Sequence, residues 1–269
     1  MTTEERACVK KPPEYTIYRA SGPIVIDGRL DEAVWQQAPK TRRFVHITSG
    51  EPGWFNTQAM MLWDDEYLYA ACVVEETDVY ATEGRRHTPV YKSGHDIELF
   101  IDPDGDGKNY YEFQINPINT INEVYWPFPG SKEGEFGWDL LGIRTAVQVQ
   151  GTLNCYEVKD QGWTVEMALP FRSMERLCPD RTKSPLPPKS GDTWRLNWTR
   201  VEKTRHMPPI IRGRRWFPTE PQAFADNGGL VIGESRKGTD WVWSVAPRYS
   251  AHVPETWGYV HFSNEKLGS

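Results

Sequence analysis

The chain reads as an all-β protein, a single antiparallel β-sandwich of the immunoglobulin or jelly-roll kind. Three observations predict this. Short runs alternate apolar and polar side chains, the period that sets one face of a strand on a core and the other on solvent. Clusters of Asp, Gly, Asn and Pro part these runs at turn-like intervals. Helical spacing of apolar residues is nearly absent. No break in composition divides the 269 residues, so residues 21–263 are expected to form one domain behind an N-terminal extension, 1–20.

The elements follow in order. Residues 1–14 read as a tail. Pro23 to Gly28 reads as a strand ending in a turn, and Asp31 to Ala38 as a short helix with Asp31 as N-cap. Thr57 to Trp63 and Tyr67 to Val74 read as strands joined by a turn at Asp64 to Glu66, and Cys72 in the second of them as a buried thiol. His95 to Ile101 and Tyr110 to Asn116 alternate, with Ile97, Leu99 and Ile101 turned to the core. Asp96, Glu98 and Phe100 then share the other face with Glu112, Gln114 and Asn116. Ile121 to Trp126, Leu141 to Val149, Gly162 to Pro170 and Trp194 to Glu202 are further strands, and Phe171 to Cys178 a short helix. Pro179 to Lys189 is a polar, Pro-rich loop. Arg205 to Pro221 is irregular. Two similar stretches, Pro221 to Ile232 and Pro254 to Phe262, each end in a predicted edge strand.

The connection after Ile101 is Asp102-Pro-Asp104-Gly-Asp106-Gly107. It opens like an EF-hand loop, but that loop needs a bidentate Glu at its twelfth position and a helix on each side. Here the twelfth position is Phe113 and both flanks alternate as strands. The stretch is therefore a β-hairpin turn. Asp102, Asp104 and Asp106 are the candidate ligands of a structural calcium ion, the one cofactor expected.

A net charge of −6 gives no basic footprint for nucleic acid, and no run of apolar residues is long enough to span a membrane as a helix. The N-terminus MTTEERACVKKPPEY carries no secretion signal as written. Cys8, Cys72, Cys155 and Cys178 are scattered, which argues against a zinc site. No P-loop, nucleophile elbow, dinucleotide fingerprint or H-E-x-x-H motif is present. The unusual feature is aromatic content, with 12 Trp, 12 Tyr and 10 Phe. Rings fill cores, and Trp35, Trp63 and Trp163 lie in apolar runs that suit that role. Rings also give flat faces on which sugars rest.

Six motifs stand in order along the chain. They are Asp27-Gly28-x-x-Asp31-x-x-x-Trp35, Leu62-Trp63-Asp64-Asp65-x-Tyr67, Asp96 to Asp102, Tyr110-Tyr111-x-Phe113-x-Ile115-Asn116, Gly162 to Pro170, and Pro254-Glu255-x-Trp257-Gly258-Tyr259. In this the chain resembles the family 9 carbohydrate-binding modules, in particular the longer bacterial members of that DOMON-like group. The resemblance implies a non-catalytic sugar binder, secreted or periplasmic, with structural calcium. It also implies a sugar end gripped between two tryptophans and by polar side chains. Glu98 matches the family's site glutamate. Tyr91 is the ring nearest the first tryptophan's place, Gln114 replaces a basic residue, and Ala251-His252 stands where the second tryptophan is found.

The candidate ligand-binding residues are Tyr91, His95, Glu98, Gln114, Asn116, Trp126, Thr199, Arg200 and His252. Tyr91 or Trp126 offers a ring face, Glu98 and Gln114 take hydroxyls, and Arg200 suits an acidic substituent or pairs with a buried acid. The expected ligand is a mono- or disaccharide unit at a chain end. Two alternatives stay open. A glycan-active enzyme, a glycosidase or a lyase, would use Glu98 with a second carboxylate such as Glu112, Glu123 or Glu255. A haem or redox domain would draw on Met60, Met61, His206 and Met207.

Overall fold

The computed structural model describes residues 11–131, 134–155, 157–180, 182, 184–203 and 240–267. The chain is all-β, and its one α-helix among the described residues, α1, spans Ala33–Gln37. The strands are β1 (Glu14–Arg19), β2 (Val45–His46), β3 (Thr57–Trp63), β4 (Tyr67–Glu75), β5 (Asp96–Asp102), β6 (Tyr110–Ile115), β7 (Ile121–Trp126) and β8 (Glu135–Phe136). They continue with β9 (Arg144–Gln150), β10 (Gly162–Pro170), β11 (Thr193–Val201), β12 (Asp240–Val242) and β13 (Gly258–Lys266). No helix among them is long and apolar enough to cross a membrane.

The strands form one curled sheet in the order β8-β7-β6-β5-β11-β13-β1-β3-β4-β10-β9, with β12 pairing β11 and β2. Its two arms fold over a common core. Ile97, Leu99, Phe113 and Trp198 of one arm pack in the same cluster as Met61, Cys72, Trp163 and Val165 of the other. That is how a single sheet performs the work of the two layers of a sandwich. The sheet is mixed rather than purely antiparallel, because β1 runs parallel to both β13 and β3.

β1 lies within the stretch 1–20 that the sequence suggests as an extension. Tyr15 and Ile17 alternate inward and are buried, so Glu14–Arg19 is an interior strand of the sheet. Pro23 to Gly28 is not a strand. Its ladder donors are claimed by a side chain: the backbone N–H groups of Asp27 and Gly28 donate to Glu166 Oε2 at 3.0 and 2.9 Å. Glu166 Oε1 accepts the Trp35 indole N–H at 2.8 Å. Gly28 has φ of 84°, and a Cβ there would stand 2.9 Å from the Val147 carbonyl carbon. Only glycine permits this approach.

The N-cap of α1 is Glu32 rather than Asp31 and makes no side-chain cap bond. Its carboxylate instead accepts the Val25 N–H at 2.9 Å. Phe171 to Cys178 forms two short 3-10 turns, at Phe171–Ser173 and Glu175–Leu177. β13 is an interior strand between β11 and β1, not an edge. The stretches Arg205 to Pro221 and Pro221 to Ile232 lie outside the described residues. Trp35, Trp63 and Trp163 are all buried, as is Cys72, whose thiol is free.

Candidate functional site

The arm β7-β6-β5-β11 carries the site on its outer face. Inward parity is taken by Ile97, Leu99 and Ile101, by Tyr111, Phe113 and Ile115, and by Leu196 and Trp198. Period-two geometry therefore turns Glu98, Phe100, Glu112, Gln114 and Thr199 the other way. Register sets them in rows. Thr199 stands opposite Glu98, Glu98 opposite Gln114, and Gln114 opposite Asn122. One step along, Phe100 stands opposite Glu112.

Among the described residues, two connections cover this face. The segment between β4 and β5 brings Pro89, Tyr91 and Lys92, and the segment between β12 and β13 brings Ser250, Ala251 and His252. Between sheet and connections lies a cavity of about 290 Å³, with Asp240 at its edge.

Its aromatic wall is a packed set. Trp126 stacks on Tyr110 with centroids 6.4 Å apart, and the His252 ring meets Trp126 edge-on at 4.7 Å and Phe100 at 5.3 Å. The Tyr110 hydroxyl and His252 Nδ1 are hydrogen-bonded at 2.8 Å.

The polar floor is a chain centred on Glu112. Its Oε2 accepts the Trp126 indole N–H at 2.6 Å, and its Oε1 accepts from Gln114 Nε2 at 2.5 Å. His252 Nε2 lies 3.6 Å from Oε2. Gln114 Nε2 also donates to Glu98 Oε1 at 3.3 Å, and Asn122 Nδ2 donates to Gln114 Oε1 at 3.0 Å. Behind this row Asp96 is fully buried; among the described residues no side chain donates to its carboxyl oxygens, and the Val201 backbone N–H acts on them.

Burial is the main cause that lifts Glu98 well above the ordinary carboxylate range, helped by the charges of Asp96, Glu112 and Asp240. Asp96 is lifted in the same way, by burial and then by Asp240 and Glu112. Tyr91 is raised by burial and by the carboxylates it faces, Glu98 first.

Of the nine sequence candidates, the cavity gathers Tyr91, Glu98, Gln114, Trp126, Thr199 and His252. Three others stand apart from it. Arg200 has inward parity and is wholly buried, its Nη2 bonded to Glu76 and Glu202 at 2.6 Å each. His95 also points inward, with Nε2 2.9 Å from the Asp78 carbonyl oxygen and Nδ1 accepting the Lys203 N–H at 3.2 Å. Asn116 closes the turn after β6, where its Oδ1 accepts the N–H groups of Ile118 and Thr120 and its Nδ2 donates to the Glu83 carbonyl. The nine ligand candidates leave out Phe100 and Glu112, although the sequence sets both on the face of Glu98 and Gln114 and offers Glu112 as a second carboxylate. They also leave out Lys92 and Asp240, which no local pattern ties to this face.

Glu123, a candidate second carboxylate for an enzyme, is on the core side, where Oε1 accepts the Tyr111 hydroxyl at 2.9 Å and Oε2 pairs with Arg86. Met60 and Met61 are buried in β3, and His206 and Met207 lie outside the described residues.

At the hairpin connection Asp102, Asp104 and Asp106 can each place one carboxylate oxygen within 4.8 Å of the others. Asp102 also accepts the N–H groups of Gly105 and Gly107, at 3.0 and 2.8 Å. Burial pushes its acid group up to about 7, with the charges of Asp104 and Asp106 adding to the rise.

A family model described as carbohydrate family 9 binding domain-like matches residues 26–186. The chain belongs to that family. The family 9 match takes in β2 through β10, and so includes the β5-β6 hairpin on which Glu98, Glu112 and Gln114 lie. Three solved structures share the fold. A protein of Bacteroides uniformis, provisionally described as carbohydrate-binding, superposes with a TM-score of 0.61 at 13% identity, covering 93% of this chain and 99% of that one. A family 9 module of Caldicellulosiruptor kristjanssonii superposes with a TM-score of 0.54, both in its cellotriose complex (16% identity, 93% and 94% covered) and in its glucose complex (15%, 93% and 96%). The exoglucanase XynX of Acetivibrio thermocellus is 25% identical over 158 residues, which are 58% of this chain and 12% of that protein. The match thus spans a small share of a much longer relative.

Proposed function

We propose that the chain is a non-catalytic carbohydrate-binding module and that one saccharide unit enters the cavity on the outer face of β5, β6, β7 and β11. The observation that carries this is the pairing of an aromatic wall, Trp126 with Phe100 and His252, with the acid and amide row of Glu112, Gln114 and Glu98. A sugar needs a ring against its C–H face and directional partners for its hydroxyls. Family membership supports the reading, and the cellotriose and glucose complexes of the Caldicellulosiruptor module make glucose-based chains the first ligands to try.

Calorimetry with cellotriose and glucose is the test. Binding without product is expected, and Trp126→Ala should weaken it about tenfold, the worth of a stacked ring face. Undiminished binding in Trp126→Ala would remove the cavity as the site. Release of product, lost in Glu98→Gln, would replace the binding reading with a glycosidase.

We also propose that Asp102, Asp104 and Asp106 hold a structural calcium ion. Calcium takes oxygen ligands at about 2.3–2.6 Å, so oxygens within 4.8 Å of one another fit around one ion. The ion would brace the β5-β6 connection. Millimolar calcium is expected to raise the melting temperature by several degrees and a chelator to reverse this. Asp104→Asn should abolish the response. A melting curve indifferent to both treatments would leave the three acids as turn residues only.

A further inference from the structure

The binding reading leaves the charge of the cavity unexplained. Glu98 and Glu112 line its floor and Asp96 stands behind them, and their three carboxyl groups act on one another. Among the described residues the cationic groups set against them are Lys92 at the rim and Lys203, which faces Asp96 and Asp240. Among the described residues, Tyr91, Asp240 and His252 are the remaining titratable groups of the lining. A neutral sugar leaves these buried acids in their protonated forms, and neutral hydroxyls are served as well by amides.

We infer that, given saccharide binding at this site, the cavity selects a sugar bearing a free amine and seats its ammonium between Glu98 and Thr199. Two observations beyond the acidity point there. Thr199 lines the cavity, is 1% exposed, and its hydroxyl has no hydrogen-bond partner among the described residues. It stands directly opposite Glu98 in the β5-β11 register. A carboxylate and a hydroxyl at that spacing supply acceptors to an ammonium, which has three donors and no acceptor. Asp96, 0% exposed and with no side-chain donor to its oxygens among the described residues, adds its field once ionised from the next row, where it stands opposite Val201. A bare metal ion is the weaker occupant. Among the described residues, the groups of three or more metal-ligating side chains within 4.8 Å of one another all lie elsewhere. These acids are spread along a floor, which suits a cation carried on a sugar ring.

Ligand binding should then move protons. Burial and mutual repulsion favour the protonated forms of Asp96 and Glu98 in the free protein. An ammonium placed against them favours the ionised forms, so binding releases a proton. An uncharged sugar has no such effect.

Three dimers separate the outcomes: cellobiose, the corresponding dimer of glucosamine, and its N-acetylated form. They differ only at the second carbon, as hydroxyl, ammonium and amide. Calorimetry just below neutral pH, in two buffers of different ionisation enthalpy, gives affinity and proton count together. The glucosamine dimer is expected to bind at least about tenfold tighter than the other two, since a charge-assisted bond is roughly twice as strong as a neutral one. About one proton should be released, and added salt should shrink the preference. Glu98→Gln should bring the amine down to the level of cellobiose. Equal or tighter binding of cellobiose or of the acetylated dimer overturns this inference and leaves the binding reading standing. Failure of all three dimers to bind overturns both.

Discussion

Arg200→Ala is expected to destabilise the fold by about 3–5 kcal/mol, the usual cost of removing one partner from a buried ion network. The guanidinium is wholly buried and tied on three sides. Its Nη2 bonds Glu76 Oε2 and Glu202 Oε2, and its Nη1 bonds Thr57 Oγ1 at 2.8 Å and the Glu75 carbonyl at 2.9 Å. It therefore joins β11 to the start of β3 and the end of β4, across the core between the two arms of the sheet. Trp241 closes the network, with its ring centroid 5.0 Å from the guanidinium carbon. Alanine would take the guanidinium from two buried carboxylates and leave a void the size of the lost side chain.

The deficit should also depend on pH through His95. Burial holds this imidazole below its ordinary value, and the charge of Arg200 lowers it further. A base lowered in the folded state gives stability that is fully present above its unfolded value, near 6.5. That stability is lost as pH falls below it, because the unfolded chain then binds more protons. Without Arg200 the depression is smaller, so the acid loss is smaller and the gap between variant and wild type narrows below pH 6.5. Urea unfolding at pH 5.5 and pH 8 measures this. A deficit under about 1 kcal/mol, the same at both pH values, would show that the network contributes no more than an exposed pair.

The same residue shows how far the sequence was legible. Trp194, Leu196, Trp198 and Arg200 share one parity, which places the arginine on the core side of β11. Residue type left open a ligand contact or a buried acid partner, and parity decides for the second, Glu76 with Glu202. His95 stands two residues before Ile97 and is buried by the same rule. Along β5 and β6, where alternation is uninterrupted, the sequence placed Glu98 beside Gln114 and turned Ile97, Leu99 and Ile101 inward, and the register agrees. Asn116 keeps the parity of Gln114, but the strand ends before it, and its amide serves the turn. Periodicity describes a strand's two faces and says nothing of what covers them. Tyr91, His252 and Asp240 reach the cavity from segments far apart in the chain. Likewise, no pattern within Pro23 to Gly28 announces that Glu166 will take the donors a strand would have used.

Glu112→Ala is expected to weaken saccharide binding about a hundredfold or more, beyond the loss from Trp126→Ala, because Glu112 fixes three other walls of the cavity. Its two oxygens accept from Trp126 and Gln114, and His252 lies against Oε2. Hydrogen bonds to a charged group contribute about 1.5–3 kcal/mol each, and each tenfold in affinity is about 1.4 kcal/mol. A hundredfold is about 2.8 kcal/mol, so two lost bonds account for it if nearly all of their worth at the lower figure, or about half at the upper, reaches the ligand. The conservative change is informative as well. Glutamine has one acceptor oxygen and one donor group, and both neighbours that face position 112, Trp126 Nε1 and Gln114 Nε2, are donors. One of them must then meet an N–H, unless the Gln114 amide turns over, which would reverse its bonds to Glu98 and Asn122. Glu112→Gln should therefore weaken binding by about tenfold while the melting temperature falls less than in Glu112→Ala. Asn122→Ala, at the far end of the same row, should cost less than either, since it removes one donor and leaves the aromatic wall in place. Near-UV circular dichroism of Trp126 checks the cause. Its signal should diminish in Glu112→Ala and stay in Asn122→Ala. If Glu112→Gln binds as tightly as wild type, with that signal unchanged, the row is not what sets the cavity.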